Sequence, residues 1–374
     1  GWAAAVLGLW LAGFLVLWRL PRCRNPDALP SSGASVSVII PARNEEHNLP
    51  ELLASIDRQS IRPREVIVVD DRSNDGTASA ARRAGAEVLS APEPPPGWLG
   101  KSWACWQGAL RARGDILVFL DADVRLEEGG LACLLAELAR RGGLVSLWPY
   151  HRMKRLYERL SAFFLLIVMA SMQTFTVLGR RLPPRGAFGP VVAVSRSDYL
   201  ASGGHQAVRG EILEDIALGR RFLQRGLSVS CLRGRGVARF RMYAQGMGSL
   251  MEGFVKNFGS GLRASSPAVL ALTTGWIFGF FAAAGRTILA AAAPGRSLLA
   301  LHLALYVLYA GQLAWQLARL GNYGLYTALL YPLPLLFFAG VFLVSLLRTF
   351  VVRTVRWKGR TIAVGGLSWK AKRR

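Results

Sequence analysis

Hydrophobic residues follow two patterns in this chain, and the change from one to the other divides it. Long unbroken apolar runs lie at both ends, and short β-branched runs alternate with segments of helical period between them. Gly1 to Trp18 is uncharged and apolar, about long enough to cross a bilayer with little tilt, and Arg19, Arg22 and Arg24 follow at once. Residues 1–20 therefore read as an N-terminal transmembrane anchor with its C-terminal end in the cytoplasm. A cleaved signal peptide fits less well, because no basic stretch precedes the apolar one and no A-x-A site follows it. The chain does not open on Met, so its start reads as processed or truncated.

A linker rich in Pro and Ser (21–34) leads into an α/β region of residues 35–240. Val36 to Ile40, Glu65 to Asp70, Glu87 to Leu89 and Asp115 to Leu120 have the composition of strands, and Asn48 to Ile56 and Thr77 to Ala84 that of helices. This βαβα succession predicts a mostly parallel, right-handed sheet covered on both faces, with ligands at the C-terminal ends of its strands. Inside this region, residues 161–178 form an apolar run. Spanning a membrane there would put motifs of one active site on opposite sides, so an interfacial or acceptor-lining helix is expected, with a buried core helix as the competing reading. Residues 241–266 are aromatic, basic and amphipathic, as suits a segment lying at the lipid surface.

Residues 267–348 contain three candidate transmembrane spans, about 268–292, 299–317 and 325–347. A basic tail, 349–374, carries no acid. Three spans after a cytoplasmic domain would place that tail outside, against the positive-inside tendency. Either one segment is re-entrant, with Arg286 or the pair Pro332 and Pro334 as break points, or the count is one too many.

Composition sharpens this picture. The chain has 46 Lys and Arg against 23 Asp and Glu, a net charge of +23, yet only 18% of its residues are charged and 52% are hydrophobic. Basic and apolar residues are thus concentrated in separate places, which excludes a disordered chain. The basic residues gather beside the apolar segments, where anionic lipid headgroups and not nucleic acid would meet them. A multi-pass protein of the cell membrane with a cytoplasmic catalytic domain is expected. Four cysteines lie far apart, with neither a CxxC pair nor a paired His spacing, so neither zinc nor a disulfide framework is implied.

Three strand ends carry polar loops. Asp121-Ala122-Asp123 closes an apolar strand, and an extended backbone would set both carboxylates on one side, within reach of a shared Mg²⁺ or Mn²⁺. Asp70 and Asp71 open the turn that continues through Asn74 to Thr77, and are placed to accept hydrogen bonds from a base or ribose. Pro41, Arg43 and Glu45 close the first strand at the same sheet edge. Lys101 and Lys256 are candidate cations for a diphosphate, or snorkelling interfacial lysines. His205 follows two glycines, Gly203 and Gly204, and His151 follows Trp148-Pro149-Tyr150. Each is a candidate for the acceptor side, or a packed histidine.

These motifs, with Glu214-Asp215 in the stretch GEILEDIALGRRF, resemble the inverting glycosyltransferases of family 2, whose fold is the Rossmann-like GT-A type. The resemblance implies that Asp71 binds the nucleoside, that Asp121 and Asp123 serve a metal and the diphosphate, and that Asp215, beside Glu214, is the catalytic base. PGWLGKSWA (96–104), WPYH (148–151), GAFGP (186–190) and GGH (203–205) are similar to a membrane-bound subgroup that glucosylates a carotenoid acid. That similarity implies a lipophilic acceptor and UDP-glucose as donor; hopanoid, ceramide, glycerolipid and polyprenyl-phosphate acceptors belong to related enzymes. Processive members carry a Q/RxxRW motif after the base. This chain reads EGFVKNF (252–258) there, which argues for a single sugar transfer.

Overall fold

The structure, a computed structural model, describes residues 1–23, 33–262, 265–293, 298–352, 354–357 and 360–363. Most of the linker and the tail beyond 363 lie outside the described residues. Two compact units make up the chain: Pro21–His151 with Gly186–Arg241, and Gly1–Leu20 with Arg152–Arg185 and Met242–Arg374.

After a first helix, α1 (Trp2–Val16), which belongs to the second unit, the chain builds an α/β unit. Its elements run β1 (Val36–Ala42), α2 (Leu49–Asp57), β2 (Glu65–Asp70), α3 (Thr77–Arg83), β3 (Glu87–Ser90), α4 (Gly100–Arg111) and β4 (Ile116–Leu120). There follow β5 (Val124–Leu126), α5 (Gly130–Arg141), β6 (Leu144–Trp148) and β7 (Tyr150–His151). The chain leaves for α6 (Ala162–Ser171) and returns with β8 (Val191–Ser195), α7 (Arg196–Ala201), α8 (Glu214–Gln224), β9 (Val229–Arg233) and β10 (Ala238–Phe240). The strands and helices expected from hydrophobic patterning all form, with ends shifted by one or two residues.

Seven strands make one sheet in the order β3-β2-β1-β4-β8-β6-β9, and every pairing is parallel except the two made by β8. A mixed α/β, mostly parallel sheet is thus the frame. β1 and β4 are almost wholly apolar because both of their faces are covered. Strands β2 and β3 lie to one side of β1 and β4 to the other, so strand order reverses there and a crevice opens beyond their C-terminal ends. A smaller sheet, β5-β10-β7, adjoins.

Helix α4 lies against β1 and β2 through Gly108. A Cβ at that position would stand 2.5 Å from Ile39 Cγ2 and 3.0 Å from Val69 Cγ2, both fully buried. This close approach matters because α4 carries Lys101 in its first turn.

The helical unit holds α1, α6, α9 (Met247–Leu262), α10 (Pro267–Ala292), α11 (Leu299–Leu317), α12 (Leu325–Leu329) and α13 (Pro332–Leu346), then a hairpin of β11 (Thr354–Trp357) and β12 (Arg360–Ala363). Among the described residues two helices are long and apolar enough to cross a membrane, Pro267–Ala292 and Pro332–Thr349. That is fewer than the three expected. The second expected span, α11, is not one of the two, and the third begins only at Pro332: Gly324, at φ 76°, precedes the short α12, which stops before it. No break occurs at Arg286, where α10 runs on and the guanidinium lies over the Trp2 ring at 5.1 Å. Helix α1 is 15 residues of apolar helix, shorter than the stretch taken as the anchor.

Polar side chains along α11 bind α1. Tyr309 donates to Val6 O (2.9 Å), Gln312 to Trp10 O (2.8 Å) and Gln316 to Gly13 O (3.1 Å), while Trp276 of α10 donates to Gln312 (2.7 Å). The segment expected as an interfacial helix of the catalytic region is instead the ten-residue α6, buried in the helical unit. Its Phe163 meets Phe280 edge-on at 5.0 Å, and its Phe164 stacks on Phe254 at 3.8 Å.

Gly108→Val should cost about 2 kcal/mol by overpacking α4 against two β-branched side chains that have no room to turn. Thermal unfolding in detergent, against wild type, checks this; an unchanged midpoint would mean that α4 moves away freely.

Candidate active site

The crevice at the reversal of strand order is built from segments far apart along the chain. The loops after β1 and β2 are laced together. Arg43 donates through Nη1 to the carbonyls of Asp71 (2.8 Å) and Arg72 (3.1 Å), and Asn44 N–H donates to Ser73 Oγ (3.0 Å). Asn44 and Arg72 hold φ values of 54° and 56°, which these bonds and that from Asn74 N–H to Asn44 Oδ1 (2.9 Å) fix. Asp70 accepts from Ser73 N–H (3.1 Å) and so closes its own turn, while Asp71 is buried and held by its N–H on Ala42 O (2.8 Å). Glu45 accepts from Asn48 Nδ2 (2.7 Å) at the start of α2. Of this group Pro41 lines the cleft floor.

Lys101 gathers the rest. Its ammonium lies 2.9 Å from Asp121, at the end of β4, 3.1 Å from Glu214 and 3.5 Å from Asp215, in the first turn of α8. Glu214 is 8% exposed and Asp215 20%. Taking two adjacent carboxylates from water disfavours their charge. Burial, and then the Glu214 charge, raise the Asp215 pKa to about 8 although Lys101 opposes the shift. Burial alone would lower the Lys101 pKa, but Asp121, Asp215 and Glu214 outweigh it and hold the ammonium charged.

Asp123 is placed differently from the expectation. Residues 121–124 form a turn, closed by Val124 N–H on Asp121 O (3.0 Å), so the two aspartates are not alternate positions of an extended strand. Both still belong to one turn. Among the described residues no three His, Cys, Asp or Glu side chains stand close enough to hold a metal alone. Mg²⁺ and Mn²⁺ take one or two protein carboxylates and complete their shell with phosphate oxygens and water, so the donor set of this turn fits such an ion with a diphosphate beside it.

His205 lines the same cleft, 2% exposed, with Nδ1 2.8 Å from Tyr199 Oη. Burial pushes its pKa down to about 4, so the ring is neutral. Gly204 serves that pair: a Cβ there would stand 2.5 Å from the Tyr199 ring carbon Cζ. His151 is not a lining residue. It is buried in the small sheet against Phe240, ring centroids 5.2 Å apart. Lys256 lies on α9, in the helical unit.

Sequence reasoning passed over Cys105, Phe119 and Gly189, which also line the cleft. Gly189 is the most informative, because a Cβ on it would overlap the Asp215 carboxylate. Gly186 likewise admits Ile216, its Cβ position being 2.6 Å from Ile216 Cα. The two glycines of GAFGP are the signal that was present: they let the start of α8 lie against the entrance to β8.

Comparison with known proteins gives the following. Residues 37–191 match the protein-family model for glycosyl transferase family 2. The chain is 35% identical over 334 residues, 88% of each chain, to the 4,4'-diaponeurosporenoate glycosyltransferase of Staphylococcus aureus strain USA300, and equally to that of strain NCTC 8325. Among solved structures it is similar to a mannosyltransferase from Pyrobaculum calidifontis in complex with GDP-Man and Mn²⁺, at 23% identity and a TM-score of 0.50 over 87% of this chain and 94% of that one. A glucosyl-3-phosphoglycerate synthase from Mycobacterium tuberculosis in complex with Mn²⁺, UDP and glucosyl-3-phosphoglycerate matches at 22% identity and a TM-score of 0.43 over 65% and 88%.

The raised Asp215 pKa has a cost in stability with a definite sign. A carboxyl whose folded pKa lies above its unfolded value favours the folded state at low pH and loses that contribution as pH rises through about 8. Asp215→Asn should therefore raise the melting temperature in metal-free buffer, by more at pH 8 than at pH 5. A gain independent of pH would mean that the Asp215 carboxyl titrates normally.

Proposed function

The chain belongs to glycosyl transferase family 2, and we propose that within it the enzyme transfers one glucose from UDP-glucose to a carotenoid carboxylic acid at the cell membrane. The observation that carries the proposal is the convergence of Asp121, Glu214 and Asp215 on Lys101 at the C-terminal strand edge. Such a cluster suits a reaction in which a diphosphate leaves on one side of a sugar and an acceptor arrives on the other. The 35% identity over most of both chains to a relative named for diaponeurosporenoate supports a lipophilic acid as acceptor.

In the proposed step an acceptor oxygen forms a bond to the anomeric carbon. The bond from that carbon to the diphosphate oxygen breaks, and UDP leaves with the electron pair. Configuration inverts. Lys101 stands where negative charge grows on the diphosphate, and Asp71 and Arg43 shape the nucleoside end of the crevice. Asp121 and Asp123 would hold a Mg²⁺ or Mn²⁺ ion, which when bound neutralises the leaving group. Asp215 is the base. Its pKa near the working pH suits proton removal from a hydroxyl, whereas a carboxylic acid acceptor is already ionised and needs only to be oriented. His205, held neutral, borders the acceptor side with Gly204 behind it. A multi-pass membrane position, with the α/β unit in the cytoplasm, fits the two apolar helices and the basic charge.

Detergent-purified enzyme with Mn²⁺ and labelled UDP-glucose should yield a glucosyl ester of mass consistent with one sugar when offered a carotenoid carboxylic acid. Label only in hydroxyl lipids or polyprenyl phosphate would keep the enzyme class and discard this acceptor. Asp215→Asn should lower transfer to a hydroxyl lipid by about 10²-fold or more and transfer to a carboxylate by much less. Gly189→Ala, which drives a methyl group into the Asp215 carboxylate, should lower turnover with either acceptor; wild-type turnover would show that the carboxylate position is immaterial.

A further inference from the structure

Three side chains at the far edge of the large sheet have no part in the chemistry above. β9 is the last strand, and Arg22 bridges to Arg233 along its outer side, with Arg233 N–H donating to Pro21 O at 2.9 Å. On its inner side Arg233 is in register with Trp148 of β6. Residues in register across neighbouring strands present their side chains to one face, so Trp148, Arg233 and Arg22 stand in a row at the C-terminal strand edge.

That row is unbalanced in two ways. Like charges directly opposite on adjacent strands repel, yet no carboxylate among the described residues pairs with Arg22 or Arg233. Burial, and after it the charges of Arg22 and Arg235, push the Arg233 pKa below the ordinary arginine value. In addition two buried donors have no acceptor, Nε of Arg233 and Nε1 of Trp148. Buried N–H groups are ordinarily satisfied, so orphaned donors beside paired positive charges mark the place of an anion. The indole cannot swing away to find another partner. Phe188 and Phe240 meet it edge-on at 5.2 and 5.5 Å.

We propose that Trp148, Arg233 and Arg22 form a binding site for a phosphate oxyanion, distinct from the cleft at Lys101. A tetrahedral phosphate offers acceptor oxygens to three donors at once, and the planar guanidinium groups suit it. β9 stands three strands from β4, about 14 Å at the usual strand spacing, so a diphosphate seated at Asp121 does not reach it. The phosphate comes either from a phospholipid headgroup or from solution. Arg22 follows the apolar α1 closely along the chain, which favours the first source.

The test uses the full chain, stripped of lipid in detergent, with UDP and the diamagnetic Mg²⁺ present to fill the cleft. Inorganic phosphate binding is followed by ³¹P NMR and phosphatidylglycerol binding by native mass spectrometry, with diacylglycerol as the control lacking a phosphate. Arg22→Gln and Arg233→Gln should each weaken binding at least tenfold and Trp148→Phe about threefold, while Arg83→Gln, on the exposed face of α3, should leave it unchanged. Weakening seen with inorganic phosphate alone identifies an anion from solution. Weakening with phosphatidylglycerol, alone or with phosphate as well, identifies a headgroup. The proposal is overturned if wild type binds neither probe, or if the arginine variants bind both as wild type does. Arg22 is exposed, so Arg22→Gln decides the matter should Arg233→Gln fail to fold.

Discussion

One ammonium group facing three carboxylates is the constraint around which the α/β unit is arranged. Lys101 comes from the first turn of α4, Asp121 from the end of β4, and Glu214 and Asp215 from the start of α8. None of these acids is stable as an isolated buried charge, and the lysine would lose its proton preference without them. The three elements are therefore placed to within a hydrogen-bond length of one another by a balance that leaves net negative charge. A divalent ion and a cationic transition state are the species that such a surplus attracts.

Close backbone approach makes that balance reachable. Gly108 lets α4 press on Ile39 and Val69, so the helix presents Lys101 at the strand edge, while Gly189 and Gly186 let α8 approach the entrance to β8. Side chains at these positions would hold the charged groups apart by more than their interaction can span. The polar loops after β1 and β2 act similarly by hydrogen bonding to each other, which fixes the backbone of Asp71.

Hydrophobic period was enough to find β1 to β4 and α2 and α3, because a buried parallel strand can be little else than a short apolar run. Motif order made the acidic cluster visible. Three-dimensional packing hid the rest. The turn at Asp121 to Val124 depends on hydrogen bonds that a period-two pattern does not encode. The burial of α6 among Phe254, Phe280 and Phe338 depends on helices far along the chain, so its apolar run alone did not separate an interfacial helix from a core one. His151 looked like a site residue because it follows Trp148 and Tyr150, yet a strand pairing with β10 turns it into the small sheet's core. The broken third span was foreshadowed by Pro332, whereas Arg286 misled, since a guanidinium over an indole is accommodated without interrupting a helix.

The polar edge of α11 has a mechanical consequence for α1. Its donors reach the carbonyls of Val6, Trp10 and Gly13, which follow one another by four and then three residues along a single ridge of the α1 helix. Turning α1 by one residue, about 100° of rotation and 1.5 Å of travel, would take all three acceptors away together. The Trp276 indole, seated against the bare backbone of Gly13, blocks the same movement sterically. The first helix is thus keyed in the manner of a shaft in its hub, able to transmit a push or a twist but not to slip.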